Sequence, residues 1–272
     1  MRSRFIILLG LFLLVLSCDE LEFNPLDPES PDFVNPETTI TNTDLDGSTL
    51  NTSTVTITFA GNDLVVAYAY RIDGDLAYVD SGEYSDWTSS TSVTYDYLDE
   101  GDYTFSVKSR YASGDEDETP ATASFSVDMV GEKGIRVYPL LVSVGAPWLT
   151  SQHSNVNIYS EAVTDLVFFS FQIQFNPSIL SVDVEDIVRG SLISGIAEYA
   201  FLPKEISAGL IKVSFTALES AGVSGTGSLV ILSCVANRAG SSTLQIINPQ
   251  YGYIEGSVEQ VTESANGMVV VQ

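Results

Sequence analysis

Few side chains in this sequence have the chemistry that covalent or acid–base catalysis needs. The chain of 272 residues has one histidine, His153, and two cysteines, Cys18 and Cys234. His153 lies in a polar stretch, residues 150–155, without a recognisable nucleophile elbow or orienting acid, so we interpret it as an exposed loop residue. No cluster of His and Cys has the spacing of a metal site, and no glycine loop is of the phosphate-binding type. The sequence therefore predicts a protein that is not an enzyme.

Carboxylates are abundant, but they cluster in turns rather than in pairs that a cleft could hold. Glycoside hydrolysis needs two acids at a fixed separation, one of them with a raised pKa. The densest run, Asp115-Glu116-Asp117-Glu118, supplies oxygen ligands that suit calcium, with Asp115 and Asp117 as the candidates. It lacks the spaced Asp/Asn ladder of a specific calcium loop, and a solvated charged hairpin is the simpler interpretation. We expect no cofactor, with calcium at this turn as the alternative.

The residues before Cys18 have the pattern of a targeting segment. Arg2 and Arg4 precede an apolar run over residues 5–16, which is too short to cross a hydrocarbon core of ~30 Å and fits a cleaved signal peptide. The following residues resemble the lipobox of bacterial lipoproteins, in the order Val15-Leu16-Ser17-Cys18. In that family the Cys thiol receives a diacylglyceryl group, chemistry that needs a nucleophilic thiolate. The resemblance implies a signal peptide over residues 1–18 and a lipid anchor on Cys18, and an ordinary secretory signal is the alternative.

The residues after Cys18 leave the choice of membrane open. Asp19 resembles the inner-membrane retention signal of enterobacterial lipoproteins, whereas the acidic stretch over residues 19–22 fits surface export in other phyla. We predict a lipoprotein of the cell envelope, at the outer membrane or cell surface, with inner-membrane retention as the alternative. Residues 19–37 contain seven acidic residues and four prolines, which predicts an extended tether.

The charge of the chain excludes one large class of partner. The formal net charge is -25, and because Arg2 and Arg4 precede Cys18, the remainder carries 36 acidic against nine basic residues. Such a surface repels phosphate backbones, which excludes nucleic acid, and it repels anionic lipid headgroups, so membrane contact should come from covalent lipid. Hydrophobic residues still make up 44% of the chain, enough for folded cores.

The sequence predicts short β-strands in which apolar and polar residues alternate, and these strands position the residues described above. Residues 54–59 alternate Thr with Val, Ile and Phe, and residues 67–72 and 103–107 show the same period of two, with turns between them. Residues 38–128 resemble bacterial fibronectin type III or immunoglobulin-like modules, in the stretches Tyr70-Arg71-Ile72-Asp73-Gly74, Tyr84-Ser85-Asp86-Trp87-Thr88 and Leu98-Asp99-Glu100-Gly101-Asp102-Tyr103-Thr104-Phe105. The resemblance implies an antiparallel β-sandwich that serves as a spacer, with Trp87 in its core.

A second strand-rich region, residues 135–272, follows a glycine-containing linker over residues 129–134. Phe169, Phe171, Ile173 and Phe175 alternate with polar residues, and residues 229–236 are apolar on both faces, which places Cys234 in a core. This region resembles the cohesin family in three stretches: Phe169-Ser170-Phe171-Gln172-Ile173-Gln174-Phe175-Asn176-Pro177-Ser178-Ile179-Leu180, Gly190-Ser191-Leu192, and Gly222-Val223-Ser224-Gly225-Thr226-Gly227-Ser228-Leu229. Asn176 and Phe175 replace the usual Asp and Tyr. The resemblance implies a jelly-roll sandwich.

The predicted fold is therefore all-β, with two β-sandwiches in tandem after a lipoprotein signal peptide. The predicted function is a lipid-anchored scaffold or binding protein, whose cohesin-like domain recognises a protein partner, with a dockerin-bearing protein as the natural example. The alternative is a surface lipoprotein that binds polysaccharide and is associated with polysaccharide degradation, for which Trp148 and Tyr159 are the candidate stacking platforms.

Overall fold

The protein consists of β-strands joined by short turns. A computed structural model describes residues 24–74, 82–145, 153–218 and 221–272. Within these ranges it contains 20 strands and two short 3-10 turns, Val184–Asp186 and Ser191–Ile193, and no helix long and apolar enough to cross a membrane. The predicted all-β class is confirmed.

The N-terminal sandwich is built from two sheets that share one aromatic core. Its strands are β1 (Thr38–Ile40), β2 (Ser48–Leu50), β3 (Val55–Gly61), β4 (Val65–Gly74), β5 (Ser92–Tyr95), β6 (Gly101–Tyr111) and β7 (Ala121–Val127). One sheet has the order β1-β3-β5 and the other β2-β7-β6-β4. Because side chains alternate along a strand, β3 buries Val55, Ile57 and Phe59 and leaves Thr56 and Thr58 outside. The strands predicted from alternation are confirmed.

A buried hydrogen bond fixes the corner before β6. The Tyr103 hydroxyl donates to the Asp99 backbone carbonyl at 2.7 Å, and the Tyr103 ring stacks on Phe125. A tyrosine near the start of this strand that bonds a few residues upstream is a feature that immunoglobulin-like sandwiches share.

The end of the predicted tether lies against this sandwich rather than extending freely. The Tyr111 hydroxyl donates to the carbonyls of Val34 and Asn35 at 2.9 and 3.2 Å, and the Phe33 ring packs edge-on against Tyr111. The Asn62 side chain donates to the Asn35 carbonyl at 2.9 Å. Prolines favour an extended chain, but these contacts attach residues 33–37 to the domain that follows.

The C-terminal region is a second, larger sandwich. Its strands are β8 (Ile135–Tyr138), β9 (Leu141–Val144), β10 (His153–Gln174), β11 (Leu180–Val182), β12 (Val188–Arg189), β13 (Tyr199–Phe201), β14 (Lys204–Ser207), β15 (Leu210–Ala217), β16 (Val223–Ala236), β17 (Gly240–Tyr253), β18 (Val258–Gln260), β19 (Ser264–Ala265) and β20 (Gly267–Val271). Strand β10 belongs to both layers, because residues 153–166 pair with β16 and residues 168–174 pair with β15 and β17.

Bulges in β10 make the change of layer possible. The register to β16 shifts three times between Ile158 and Leu166, and Ala162 and Asp165 have the positive φ angles of 40° and 52°. After the bulges, the stripe of Phe169, Phe171 and Ile173 is buried against residues of β15, β16 and β17. The predicted stripe and the buried position of Cys234 are both found in this core.

Candidate functional site

One face of the C-terminal sandwich presents a broad polar surface to solvent. The buried stripe of β10 points inward, so the residues between its members point outward, and the same alternation holds in β15, which buries Ile211, Val213 and Phe215. We call the outward-pointing side chains of β18, β17, the second half of β10, β15 and β14 the outer face, in which Ser170 is covered by its neighbours: Gln260, Gln250, Phe168, Thr216, Ser170, Ser214, Ile247, Gln172, Lys212, Lys204, Gln245, Gln174 and Leu210.

Strand register arranges the outer face in rows across the sheet. Gln260 lies opposite Gln250, which lies opposite Ser170 and then Ser214. The hydroxyls of Ser170 and Ser214 are 3.0 Å apart, within hydrogen-bond distance. In the next row, Ile247, Gln172, Lys212 and Lys204 follow one another. The surface therefore consists mainly of amide and hydroxyl groups at regular spacing.

The outer face differs in charge from the chain as a whole. Its residues include two lysines, Lys204 and Lys212, and no Asp or Glu, although the chain has 36 acidic residues and a net charge of -25. A weakly basic, largely neutral patch in a strongly acidic protein is where an acidic or neutral partner meets the least repulsion.

Exposed aliphatic side chains border the outer face. We call these residues the aliphatic rim: Leu202, Leu218, Val258 and Ile206, whose exposed fractions are 64, 64, 62 and 49%. Leu202 pairs with Ser214 through two backbone hydrogen bonds, and Val258 lies opposite Gly252. Two exposed glutamates lie beside the rim: Glu198, whose carbonyl accepts from the Leu218 amide, and Glu205, which precedes Ile206 in β14. Of nine large hydrophobic side chains that are exposed in the described parts of the chain, seven belong to this sandwich, so the exposure is concentrated here.

Open aromatic surfaces are scarce on the residues that the structure describes. Tyr199 is the one exposed aromatic side chain among them, and its ring is stacked on the Arg189 guanidinium at 3.7 Å. Sugar-binding surfaces stack their ligands on free aromatic faces, and no row of such faces occurs within the described ranges. The outer face instead mixes polar groups with aliphatic ones, as protein-binding surfaces do.

Comparisons with known proteins find similarity only among solved structures. No family model matches the chain, and no curated protein matches it. A non-cellulosomal cohesin from the archaeon Archaeoglobus fulgidus is 18% identical, with a TM-score of 0.41, over 52% of this chain and 92% of that one. The sixth cohesin of scaffoldin B from Acetivibrio cellulolyticus, solved with a Cel5 dockerin, is 15% identical, with a TM-score of 0.43, over 52% of this chain and 100% of that one. A cohesin module of a family 33 glycoside hydrolase from Clostridium perfringens is 14% identical, with a TM-score of 0.41, over 53% and 97%.

Two of the motif stretches singled out in the sequence meet in space. The Gly190 amide donates to the Leu229 carbonyl at 2.8 Å. A Cβ on Gly190 would lie 2.2 Å from the Ser228 carbonyl oxygen, so only glycine fits at this position. Gly227 likewise faces Leu192, whose Cβ would be 3.2 Å from a Cβ on Gly227. These glycines therefore hold one loop against one strand.

The sequence interpretation of Trp87 was wrong, because this residue lies outside the buried core of the N-terminal sandwich. Residues 84–88 form an edge beside β4, through hydrogen bonds of Tyr68 with Thr88 and of Ser85 with Tyr70. The Trp87 ring is covered by the Arg110 guanidinium at 4.4 Å, with the Lys108 ammonium at 5.4 Å. Strand alternation does not predict such cation–π contacts, since they depend on the neighbouring strand β6.

The calcium candidates lie in the turn before β7, where hydrogen bonds occupy their carboxylates. Asp117 is buried, and it accepts from the Thr38 hydroxyl at 2.6 Å and from the Thr119 amide at 2.8 Å. Asp115 accepts from the Ser113 hydroxyl at 2.6 Å. No group of three or more potential metal-ligating side chains occurs among the described residues. Calcium binding by Asp115 and Asp117 stays an untested prediction.

The remaining sequence candidates fall in different places. Val15, Leu16, Ser17, Cys18 and Trp148 lie outside the described residues. His153 is the first residue of β10. The half-buried Tyr159 ring lies 5.3 Å from the Tyr138 ring and 5.2 Å from the Arg136 guanidinium, so it contributes to packing between elements rather than to an open platform. The alternation in β10 predicts that the residues between the members of its stripe face away from the core, but it does not predict which strands lie beside them, so the full outer face could not be identified before the register was known.

Proposed function

We propose that this protein is a lipid-anchored, non-enzymatic scaffold or binding protein that recognises a protein partner through the outer face. The observation that carries the proposal is the outer face itself: neutral amides and hydroxyls, two lysines and no carboxylate, bordered by the aliphatic rim. A rigid sheet with one buried and one open side presents such a surface without rearrangement.

The dimensions of the outer face suit a protein partner. Five strands at about 4.8 Å spacing span about 20 Å, and the eight residues of β15 span about 27 Å along the strand. The resulting area of roughly 500 Å², with the rim beside it, approaches the roughly 800 Å² that one partner buries in a standard interface. Buried apolar contacts from the rim would supply affinity, and the amides would select for complementary hydrogen-bonding groups.

The class of partner follows from the cohesin-like motifs. The three stretches quoted above resemble that family, whose members bind dockerins, and the last two meet at Gly190 and Ser228 to fix the sandwich. We therefore propose a dockerin-bearing protein with a neutral or acidic contact surface. The N-terminal sandwich, with the Tyr103 bond of an immunoglobulin-like module, would then act as the spacer.

Binding to isolated dockerin modules in the presence of Ca²⁺ tests this proposal by calorimetry. Leu202→Asp places a charge on the aliphatic rim and is expected to weaken binding at least about tenfold, since burying an unpaired carboxylate is unfavourable. Val66→Asp is the matched control, because Val66 is an aliphatic residue of the other sandwich with similar exposure, 50%. Equal weakening by both variants would contradict the outer face as the site. Saturable binding on a glycan array, with no binding to dockerins or secreted proteins, would replace the proposal by carbohydrate recognition.

The lipid anchor is tested separately. Cells grown with an alkyne-labelled fatty acid are expected to label the wild-type protein and the Cys234→Ser variant but not Cys18→Ser, because the thioether forms on Cys18 alone. Protease treatment of intact cells then distinguishes surface exposure from retention at the inner membrane. Labelling of Cys18→Ser would show that the lipobox interpretation is wrong.

A further inference from the structure

Residues 129–134, which we call the joint, connect the two sandwiches through a closely bonded chain. The amides of Met129 and Val130 both donate to the Glu100 carboxylate, at 3.1 and 2.9 Å. The Gly131 amide donates to the Glu263 carboxylate at 2.6 Å. Two further amides donate to backbone carbonyls, Lys133 to Glu161 at 2.7 Å and Gly134 to Gly131 at 2.9 Å. Five of the six backbone amides in the joint therefore have partners, four of them on the two sandwiches and one within the joint.

Direct contacts between the sandwiches add to those of the joint. The Asp99 carboxylate of the N-terminal sandwich accepts from the Leu140 amide of the C-terminal one at 2.8 Å, and both residues are buried. The Arg136 guanidinium, with 8% of its side chain exposed, lies between Glu100 and Glu161, with N–O distances of 2.9 Å to each. Val130 and Leu140 are buried as well, although neither belongs to the core of either sandwich.

The charged contacts define geometry more than they add stability. Burial raises the pKa of Glu100, and the nearby Arg136 charge offsets this only in part. A buried ion pair of this kind adds little to the net stability of the fold. It does restrict how the two sandwiches can be oriented, because moving Glu100 away would leave the buried Arg136 charge incompletely paired. The rings of Tyr138 and Tyr159, 5.3 and 5.2 Å from the same guanidinium, restrict it further.

We propose that the joint makes the two sandwiches one rigid body in solution, with Arg136 as the residue that positions them. Short glycine-containing linkers ordinarily let neighbouring domains move independently. Here the carboxylates of Glu100 and Glu263 bind the linker backbone, and Asp99 and Arg136 connect the two sandwiches directly. The outer face is consequently held at a fixed orientation to the N-terminal sandwich, whatever that face binds.

Residual dipolar couplings measured on the purified protein test the proposal, because each sandwich reports its own alignment tensor. For the wild type we expect the two tensors to coincide in magnitude and orientation. Arg136→Met removes the charge between Glu100 and Glu161 and is expected to abolish the coincidence while each sandwich stays folded. Lys108→Met is the matched control, since it removes an exposed ion pair with Glu116 inside the N-terminal sandwich, and its tensors should coincide.

Three results would overturn the proposal: differing tensors in the wild type, coinciding tensors in Arg136→Met, or differing tensors in Lys108→Met. If Arg136→Met does not fold, insertion of Gly-Gly-Ser after Glu132 tests the joint instead. That insertion separates the partners of Gly131 from those of Lys133 and is expected to make the tensors differ. Coinciding tensors in the insertion variant would overturn the role of the joint.

Discussion

The contact between Gly190 and Ser228 allows a sharp test of how the C-terminal sandwich is packed. In Gly190→Ala the new methyl group would lie 2.2 Å from the Ser228 carbonyl oxygen and 2.4 Å from its carbonyl carbon. Both are backbone atoms of β16, so no side-chain rotation relieves the clash. The φ angle of Gly190 is -78°, which alanine adopts readily, so the effect isolates close approach from backbone strain.

The expected loss of stability in Gly190→Ala has two contributions. Forcing an extra methyl into a packed site costs about 1 to 3 kcal/mol, and moving the loop away would lose the hydrogen bond from the Gly190 amide to Leu229, which contributes about 1 kcal/mol. We therefore expect Gly190→Ala to lower the free energy of unfolding by about 2 to 4 kcal/mol. Against a total stability of roughly 5 to 15 kcal/mol, this loss is readily measured.

Urea unfolding followed by circular dichroism, with linear extrapolation, provides the measurement. Gly195→Ala is the control, because a Cβ at Gly195 meets nothing within 4 Å and its φ is not in the left-handed region. That variant should raise the free energy of unfolding by less than about 1 kcal/mol. If Gly190→Ala is as stable as Gly195→Ala, the close approach of the Gly190 loop to β16 is wrong.

Three further predictions concern single side chains. Tyr103→Phe removes the hydroxyl that donates to the Asp99 carbonyl and should lower the free energy of unfolding by about 1 kcal/mol in urea, whereas an unchanged value would show that the bond contributes nothing. Burial raises the pKa of the Cys234 thiol to about 12, so in a Cys18→Ser background a thiol reagent at pH 8 should label the protein only after denaturation, and labelling of the native state would contradict its burial. Because burial raises the pKa of Glu100, its protonation favours the folded state, and that stability is lost as pH rises through the raised pKa. The free energy of unfolding of the wild type should therefore rise relative to that of Glu100→Gln as pH falls from about 7 to about 4.5. A fall of the wild-type value relative to the variant would show that the pKa of Glu100 is lowered rather than raised.

Much of the strand pattern could be predicted from the sequence, because alternation encodes burial directly. The residues of β3 and the aromatic stripe of β10 follow the period of two, and both stripes are buried. The outer face could not be predicted, since it depends on which of several strands lie side by side. Trp87 was assigned to the core for the same reason: its environment is set by Lys108 and Arg110 on a strand that is distant in sequence.

The joint was the hardest element to predict. Its composition indicates a simple linker. Its two carboxylate partners, Glu100 and Glu263, lie on opposite sides of it in the sequence, 163 positions apart. Ordinary surface acids in a chain with 36 of them give no signal that two will bind backbone amides. The hydrogen bonds between these carboxylates and the backbone of the joint can be identified only from the structure of both sandwiches.

Parallel strand pairs in each sandwich bear on how the protein responds to mechanical load. Strand β2 runs parallel to β7, which leads into the joint, and β9 runs parallel to β20. In a parallel pair the start of one strand and the end of the other lie at opposite ends, so pulling them apart shears the hydrogen bonds together rather than opening them one at a time. A force applied between the start of β2 and the end of β7, or between the start of β9 and the end of β20, would therefore be opposed by all the hydrogen bonds of that pair at once.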